Sequence, residues 1–161
     1  MQLLLIRHAD AGDADPTLWP DDTLRPLTEK GRKRQQRVTK RLARHDLTPT
    51  LLLSSPWLRA WQTAQLTAEH SRCPAPTACP ALAADPSLRS LAAAIGRPPR
   101  DAIVALVGHE PWLGQLASLL LAGEARRLTI SFPKSGVLGL EIGALEAGAG
   151  VLDFFWRPKG S

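Results

Sequence analysis

Three apolar runs in this chain are continuous rather than alternating: QLLLI at 2–6, LLL within TPTLLLSS at 48–55, and IVALV within DAIVALVG at 101–108. A strand with one wet face alternates apolar and polar residues, so an unbroken run predicts a strand covered on both faces. Strands of that kind belong to parallel sheets, whose crossover connections lay helices over both sides. The intervening sequence supplies those helices. Thr28 is predicted to cap one reaching about Arg44, and Pro56 suits the first turn of another through WLRAWQTAQLTAEH. SLRSLAAAI predicts a short helix ended by GRPPR, and a fourth helix is expected from about Pro111 to Leu121. SRCPAPTACPALAADP reads as irregular. After AGEARR the pattern changes: LTISF, GVLGLEI and GVLDFFW read as strands joined by short glycine-containing turns. The expected fold class is α/β, a three-layer α/β/α sandwich with a mostly parallel central sheet and a strand-rich C-terminal part. With 161 residues, one domain over 1–161 can bury a substantial core, and two would be cramped.

Other features narrow the class of protein. No apolar stretch approaches the ~20 residues of a membrane helix, and Arg7 follows Met1 too closely for a signal peptide. Two cysteines, Cys73 and Cys79, make neither a disulfide framework nor a zinc ligand set. The expectation is a soluble, cytoplasmic protein with no membrane partner. The net charge of +5 owes much to GRKRQQRVTKRLAR at 31–44. As a helix it places Val38 and Leu42 on one buried edge and most charges in water. Nucleic-acid readers usually add aromatic platforms, which this segment lacks, so it reads as a solvated face and no nucleic-acid partner is expected.

The reactive residues fall at strand ends. The first run leads into Arg7 and His8. The second leads into Ser54 and Ser55, with Arg59 one turn into the next helix. The third leads into Gly108, His109 and Glu110. In open α/β sheets the carboxyl ends of the strands form the ligand crevice. Arg7, Arg59 and His109 could therefore surround a phosphoryl group, with His8 placed for in-line attack on phosphorus. The arginines would neutralise the non-bridging oxygens and also disfavour protonation of His8, leaving it nucleophilic. The scheme needs no metal and no cofactor, and no carboxylate cluster suited to magnesium is evident.

LIRHADA, RPLTEKG, SSPWLRAWQTA and LVGHEPWL, in that order between residues 3 and about 115, together resemble the histidine phosphatase superfamily, the phosphoglycerate-mutase-like proteins. More narrowly they resemble its short bacterial phosphohistidine phosphatases of the SixA type. The resemblance implies that His8 becomes a phosphohistidine intermediate and that Arg7, Arg59 and His109 bind the phosphoryl group. Larger members carry Gly after the Arg-His pair, where this chain has Ala9. They also supply an acid from mid-chain, where the candidates here are Asp85, Glu110 and Asp10. A phosphohistidine substrate leaves as an imidazole and has less need of a strong acid. The expected substrate is accordingly phosphohistidine on a signalling or phosphotransfer protein. The alternatives are a small phosphorylated metabolite or nucleotide, or a low-turnover phosphoprotein-binding module.

Each residue also has a plainer reading. His8 alone could be a hydrogen-bonded structural histidine, His109 a helix cap and Arg59 half of a surface ion pair. Ser55 and Thr63 suit capping or packing, Arg25 suits ordering its own loop, and His45 and His70 read as surface residues. Trp57 and Trp112 are candidates for the rim of the site.

Overall fold

A computed structural model describes residues 1–85 and 87–158. The first strand, β1 (Gln2–Arg7), sits inside a six-stranded sheet, and its four middle residues, Leu3 to Ile6, have no solvent exposure. It is followed by α1 (Glu29–Arg44), β2 (Leu51–Ser54), α2 (Leu58–Ser71) and a two-residue strand, β3 (Thr77–Ala78). The chain then forms α3 (Leu88–Ile95), β4 (Ile103–Gly108), α4 (Trp112–Ala122), β5 (Val137–Ile142) and β6 (Gly150–Trp156). The strand order is β3-β2-β4-β1-β5-β6. The pairs β2/β3, β2/β4 and β1/β4 are parallel, whereas β5 runs antiparallel to β1 and to β6.

The pleat explains why the runs need not alternate. Leu3 and Leu5 pack with Leu91, Ile95, Leu113 and Leu116 of α3 and α4. Leu4 and Ile6 point the other way, toward Val38, Leu42, Ala60 and Ala64 of α1 and α2. The three-layer architecture follows from that division of β1 between two apolar clusters.

Local chemistry fixes where the helices begin. The Thr28 side chain caps α1 by accepting from the Gly31 N–H at 3.0 Å. A Cβ on Gly31 would overlap the backbone of Asp10, so the helix start lies directly against the chain leaving β1. The Ser87 hydroxyl caps α3 in the same manner, accepting from the Ser90 N–H. Pro56 lies outside the first turn of α2, because Trp57 is the N-cap residue.

Two segments depart from the sequence reading. LTISF, residues 128–132, forms no strand. Its backbone bonds to side chains instead: the Leu128 N–H donates to Ser118 Oγ at 2.9 Å and the Phe132 N–H to Glu110 Oε1 at 2.7 Å. The Phe132 side chain is fully buried, which accounts for the apolar character without a sheet. In the proline-rich stretch, Thr77 and Ala78 add a short parallel strand beside β2, and a 3₁₀ turn at Pro80–Ala83 follows. No helix among the described residues is long and apolar enough to cross a membrane.

Candidate active site

The parallel strands β1, β4 and β2 end almost in step. Arg7 lies opposite Gly108, and Ser54 lies opposite Val107. Each chain then continues the ladder by one bond, from the His8 N–H to the Gly108 carbonyl and from the Ser55 N–H to the Val107 carbonyl. The residues just past each strand, His8, Ser55 and His109, therefore emerge side by side. A cavity of about 350 Å3 opens there, lined by Arg7, His8, Arg59 and His109 together. Hollows of about 770 and 540 Å3 at the opposite end of the strands, around Met1 and Arg100, are lined by no histidine or cysteine.

His8 is 7% exposed and its tautomer is fixed by one contact. Nδ1 lies 2.7 Å from the Ala9 carbonyl oxygen, which can only accept, so Nδ1 carries the proton and Nε2 keeps its lone pair. Burial lowers its pKa to about 3; the Ala9 carbonyl opposes that shift, while His109, Arg59 and Arg7 reinforce it by repulsion. His109 is likewise lowered to about 3 by burial and by Arg59 and Arg7, against a small opposing effect of Asp22. The two rings lie 5.1 Å apart between centroids. At neutral pH both imidazoles are uncharged.

The supports of these rings come from the motifs around them. Ser55 Oγ is 2.8 Å from His109 Nε2 and accepts from the Trp57 N–H, so this serine holds the second histidine in place. Thr63 Oγ1 accepts from the Ala9 N–H at 3.0 Å and donates to the Arg59 carbonyl at 2.7 Å, tying α2 to the residue after His8. The Trp57 ring packs 4.6 Å from His109, with the Arg59 guanidinium 4.8 Å from its centre.

Both arginines are held from one side. Arg7 NH1 donates to the Phe132 carbonyl at 2.6 Å. Arg59 NH1 donates to the Asp22 carbonyl at 2.8 Å and lies 3.1 Å from its carboxylate. Burial pulls both guanidinium pKa values down, opposed by Glu110 at Arg7 and by Asp22 at Arg59. Asp22 also receives Arg25 Nε at 2.7 Å, and Arg25 NH1 donates to the carbonyls of Ala11 and Gly12. Arg25 thus orders its own loop while lining the cavity. Among the described residues five buried side-chain nitrogens lack any partner: Arg34 Nε and His70 Nε2, on residues that do not line the cavity, and a set of three, Arg7 Nε, Arg59 Nε and His109 Nδ1. Buried polar groups are rarely left unmatched, and this set of three belongs to residues lining one cavity. A tetrahedral oxyanion has acceptors enough for all of them.

The three candidate acids are placed differently. Glu110 lines the cavity, but its Oε1 accepts the Phe132 N–H, which strap-fastens the segment whose carbonyl holds Arg7. Asp10 is half-buried, which favours its protonated form, but Lys134 and Thr28 outweigh that and hold its carboxyl below the usual range. Asp85 is exposed and does not line the cavity. Sequence reasoning missed Asp13, Asp22 and Lys134. Asp13 and Lys134 line the cavity mouth, and Asp22 braces Arg59. Asp13 and Lys134 come from loops and Asp22 opens a three-residue 3₁₀ turn (Asp22–Leu24), segments in which no periodicity marks a residue as inward-facing. Among the described residues, no three His, Cys, Asp or Glu side chains are grouped so as to hold a metal ion.

A family model described as histidine phosphatase superfamily (branch 1) matches residues 3–83. An uncharacterized protein of Picosynechococcus sp. is 37% identical over 146 residues, spanning 89% of this chain and 87% of its own. The structure of the protein histidine phosphatase SixA complexed with tungstate is 25% identical, covers 98% of this chain and 97% of its own, and superposes with a TM-score of 0.80. A SixA of Agrobacterium tumefaciens shares the fold at 23% identity, with the same coverages and a TM-score of 0.77. A mycobacterial glucosyl-3-phosphoglycerate phosphatase shares it at 17% identity, covering 98% and 99%, with a TM-score of 0.72.

Proposed function

The chain belongs to the histidine phosphatase superfamily, branch 1, and is a phosphatase; from that premise we propose that it removes the phosphoryl group of phosphohistidine on a signalling or phosphotransfer protein. In this reading it is a cytoplasmic enzyme built as a single catalytic domain. His8 Nε2 attacks phosphorus in line, the substrate imidazole leaves, and water then attacks phospho-His8 to release phosphate. The nucleophile needs no base, because its only ring proton is already committed to the Ala9 carbonyl. That carbonyl also stabilises the positive charge the ring gains on attack. Arg7, Arg59 and His109 hold the non-bridging oxygens throughout.

The observation that carries this reading is the set of unmatched nitrogens on Arg7, Arg59 and His109 around one neutral, oriented imidazole. The substrate class rests on the acids. Glu110 spends one oxygen on the Phe132 N–H, Asp10 is held as a carboxylate and Asp85 is outside the cavity lining, so a leaving group that departs without strong acid assistance suits the cavity. A second reading, hydrolysis of a small phosphate ester, is favoured by Asp13 alone, which lies at the mouth.

The test is a comparison of a phosphohistidine-bearing protein with sugar phosphates, for native enzyme and His8→Ala. The expected result is preferential hydrolysis of phosphohistidine and an acid-labile phosphoryl label on native enzyme only. Equal labelling of both proteins would refute the covalent route. Preference for the sugars, together with a loss of about 10²–10⁴ on Asp13→Asn, would replace the substrate assignment with the ester reading.

A further inference from the structure

The positive charge of this protein is concentrated on one helix. α1 carries eight of the 20 lysines and arginines and one of the 15 acidic residues, a net of +7 against +5 for the whole chain. The remaining 145 residues therefore sum to −2. Lys33, Arg37, Lys40 and Arg44 are all exposed and recur at spacings of four, three and four, which aligns them along one ridge about 16 Å long. The ion pair found on that ridge joins Lys33 to Glu29 at 3.6 Å.

This distribution works against the helix that bears it. Arg37 has Lys33 and Arg41 one turn away on either side, and Lys40 has Arg44, so like charges repel along the ridge. Lys30, Arg32 and Lys33 crowd the N-terminal turns, where the helix dipole disfavours cations. Stability alone would have alternated the signs, and solubility alone would not place the whole excess on one element. Glu29 offsets Lys33, and Arg41 and Arg44 suit the C-terminal turn, but Arg37 has Lys33, Arg34, Lys40 and Arg41 as its neighbours one turn away, an arrangement that points to a functional surface.

Its position says which function. Gly31 packs on the Asp10 backbone, the Thr28 N–H donates to the Asp10 carbonyl at 2.9 Å, and Asp10 holds Lys134 at the cavity mouth. The first turn of α1 thus lies at the cavity end of the sheet, and the ridge runs away from that end along the helix face opposite Gly31. A single-stranded nucleic acid would use stacking surfaces, but the Trp156 ring beside Arg41 is covered by that guanidinium at 4.1 Å and by His45 at 5.1 Å.

We propose that the exposed ridge of α1 is a docking surface for an acidic protein, the one whose phosphorylated side chain enters the His8 cavity. Docking itself stands on the charge distribution; the identity of the docked protein as substrate rests on the reading above. Two measurements separate these. Binding of a fluorescent Asp/Glu-rich peptide without phosphate is expected at low salt, lost at high salt, and weakened about tenfold in Arg37→Glu/Lys40→Glu. For phosphohistidine peptides of one core sequence, acidic flanks should lower KM about tenfold over lysine flanks, and the double variant should abolish the difference. An aryl phosphate should be hydrolysed equally by both enzymes. Unchanged peptide binding in the double variant would overturn the docking surface, as would tighter binding of a short DNA duplex than of the acidic peptide. If binding behaves as expected but no phosphohistidine peptide is hydrolysed, the surface stands and the substrate assignment falls.

Discussion

The cavity and the α1 ridge both gather cations, and they hold them in opposite ways. In the cavity each cation is fastened before any ligand arrives: Arg7 to the Phe132 carbonyl, Arg59 to Asp22, Lys134 to Asp10. On the ridge, Lys33 has the exposed Glu29 beside it, while Arg37, Lys40 and Arg44 lie exposed to water. Fastened, partly buried charge acts at contact distance and needs no rearrangement when a transition state forms. Exposed charge acts through solvent over roughly a Debye length of 10 Å, and serves encounter rather than chemistry. The same residue types thus do two jobs, and burial decides which.

The sharpest way to break this contrast is to remove one cation from each region. Arg59→Ala takes away a donor with an unmatched Nε and is expected to cut kcat/KM on an aryl phosphate by about 10²–10³. Arg37→Ala should leave that value within about twofold, because screened charge outside the cavity contributes little to a small substrate. Steady-state kinetics on the pair decides the matter. Comparable losses in the two variants would mean that the cavity works by general positive potential, not by placed donors.

A second contrast lies in acid. The buried imidazoles of His8 and His109 have their pKa lowered from 6.5 to about 3, whereas an unfolded chain binds protons at both near 6.5. Between those values the unfolded state holds more protons, so stability is fully present above about pH 6.5 and falls as pH drops toward 3. The loss is of order 1.4 kcal/mol per pH unit for each ring. Thermal unfolding followed from pH 7 to 4.5 should show this slope, reduced in His8→Asn and unaltered in Arg37→Gln. An unreduced slope in His8→Asn would mean that His8 titrates near its ordinary value, and the neutral nucleophile would go with it.

Much of this was legible before any coordinates, for a physical reason. Continuous apolar runs define strands covered on both faces, parallel strands place their carboxyl ends together, and so Arg7, His8, Arg59 and His109 had one place to meet. What escaped was set by contacts without periodicity. Phe132 looked like strand because it is apolar, yet its backbone is claimed by Glu110 and Arg7. Asp22 braces Arg59 across 37 residues, and Lys134 reaches Asp10 across 124, distances over which spacing carries no signal. The same contacts explain why Glu110 and Asp10 looked like free acids in the sequence: only the fold supplies the partners that occupy them.

The smallest expected effect has the most informative sign. Replacing Arg37 by Glu converts repulsions with Lys33 and Arg41 into attractions, each of about 0.2–0.5 kcal/mol, so the variant should unfold at a temperature about 2 °C higher. Replacing Arg59 by Gln takes from the Asp22 carboxylate and carbonyl the donor that the buried guanidinium supplies and should lower it. Added salt should erase the first effect, because exposed charges are screened, and largely spare the second. One calorimetric series on both variants, at low and high salt, measures this. If Arg37→Glu destabilises instead, the ridge is supported by contacts of its own and its charge needs no partner to explain it.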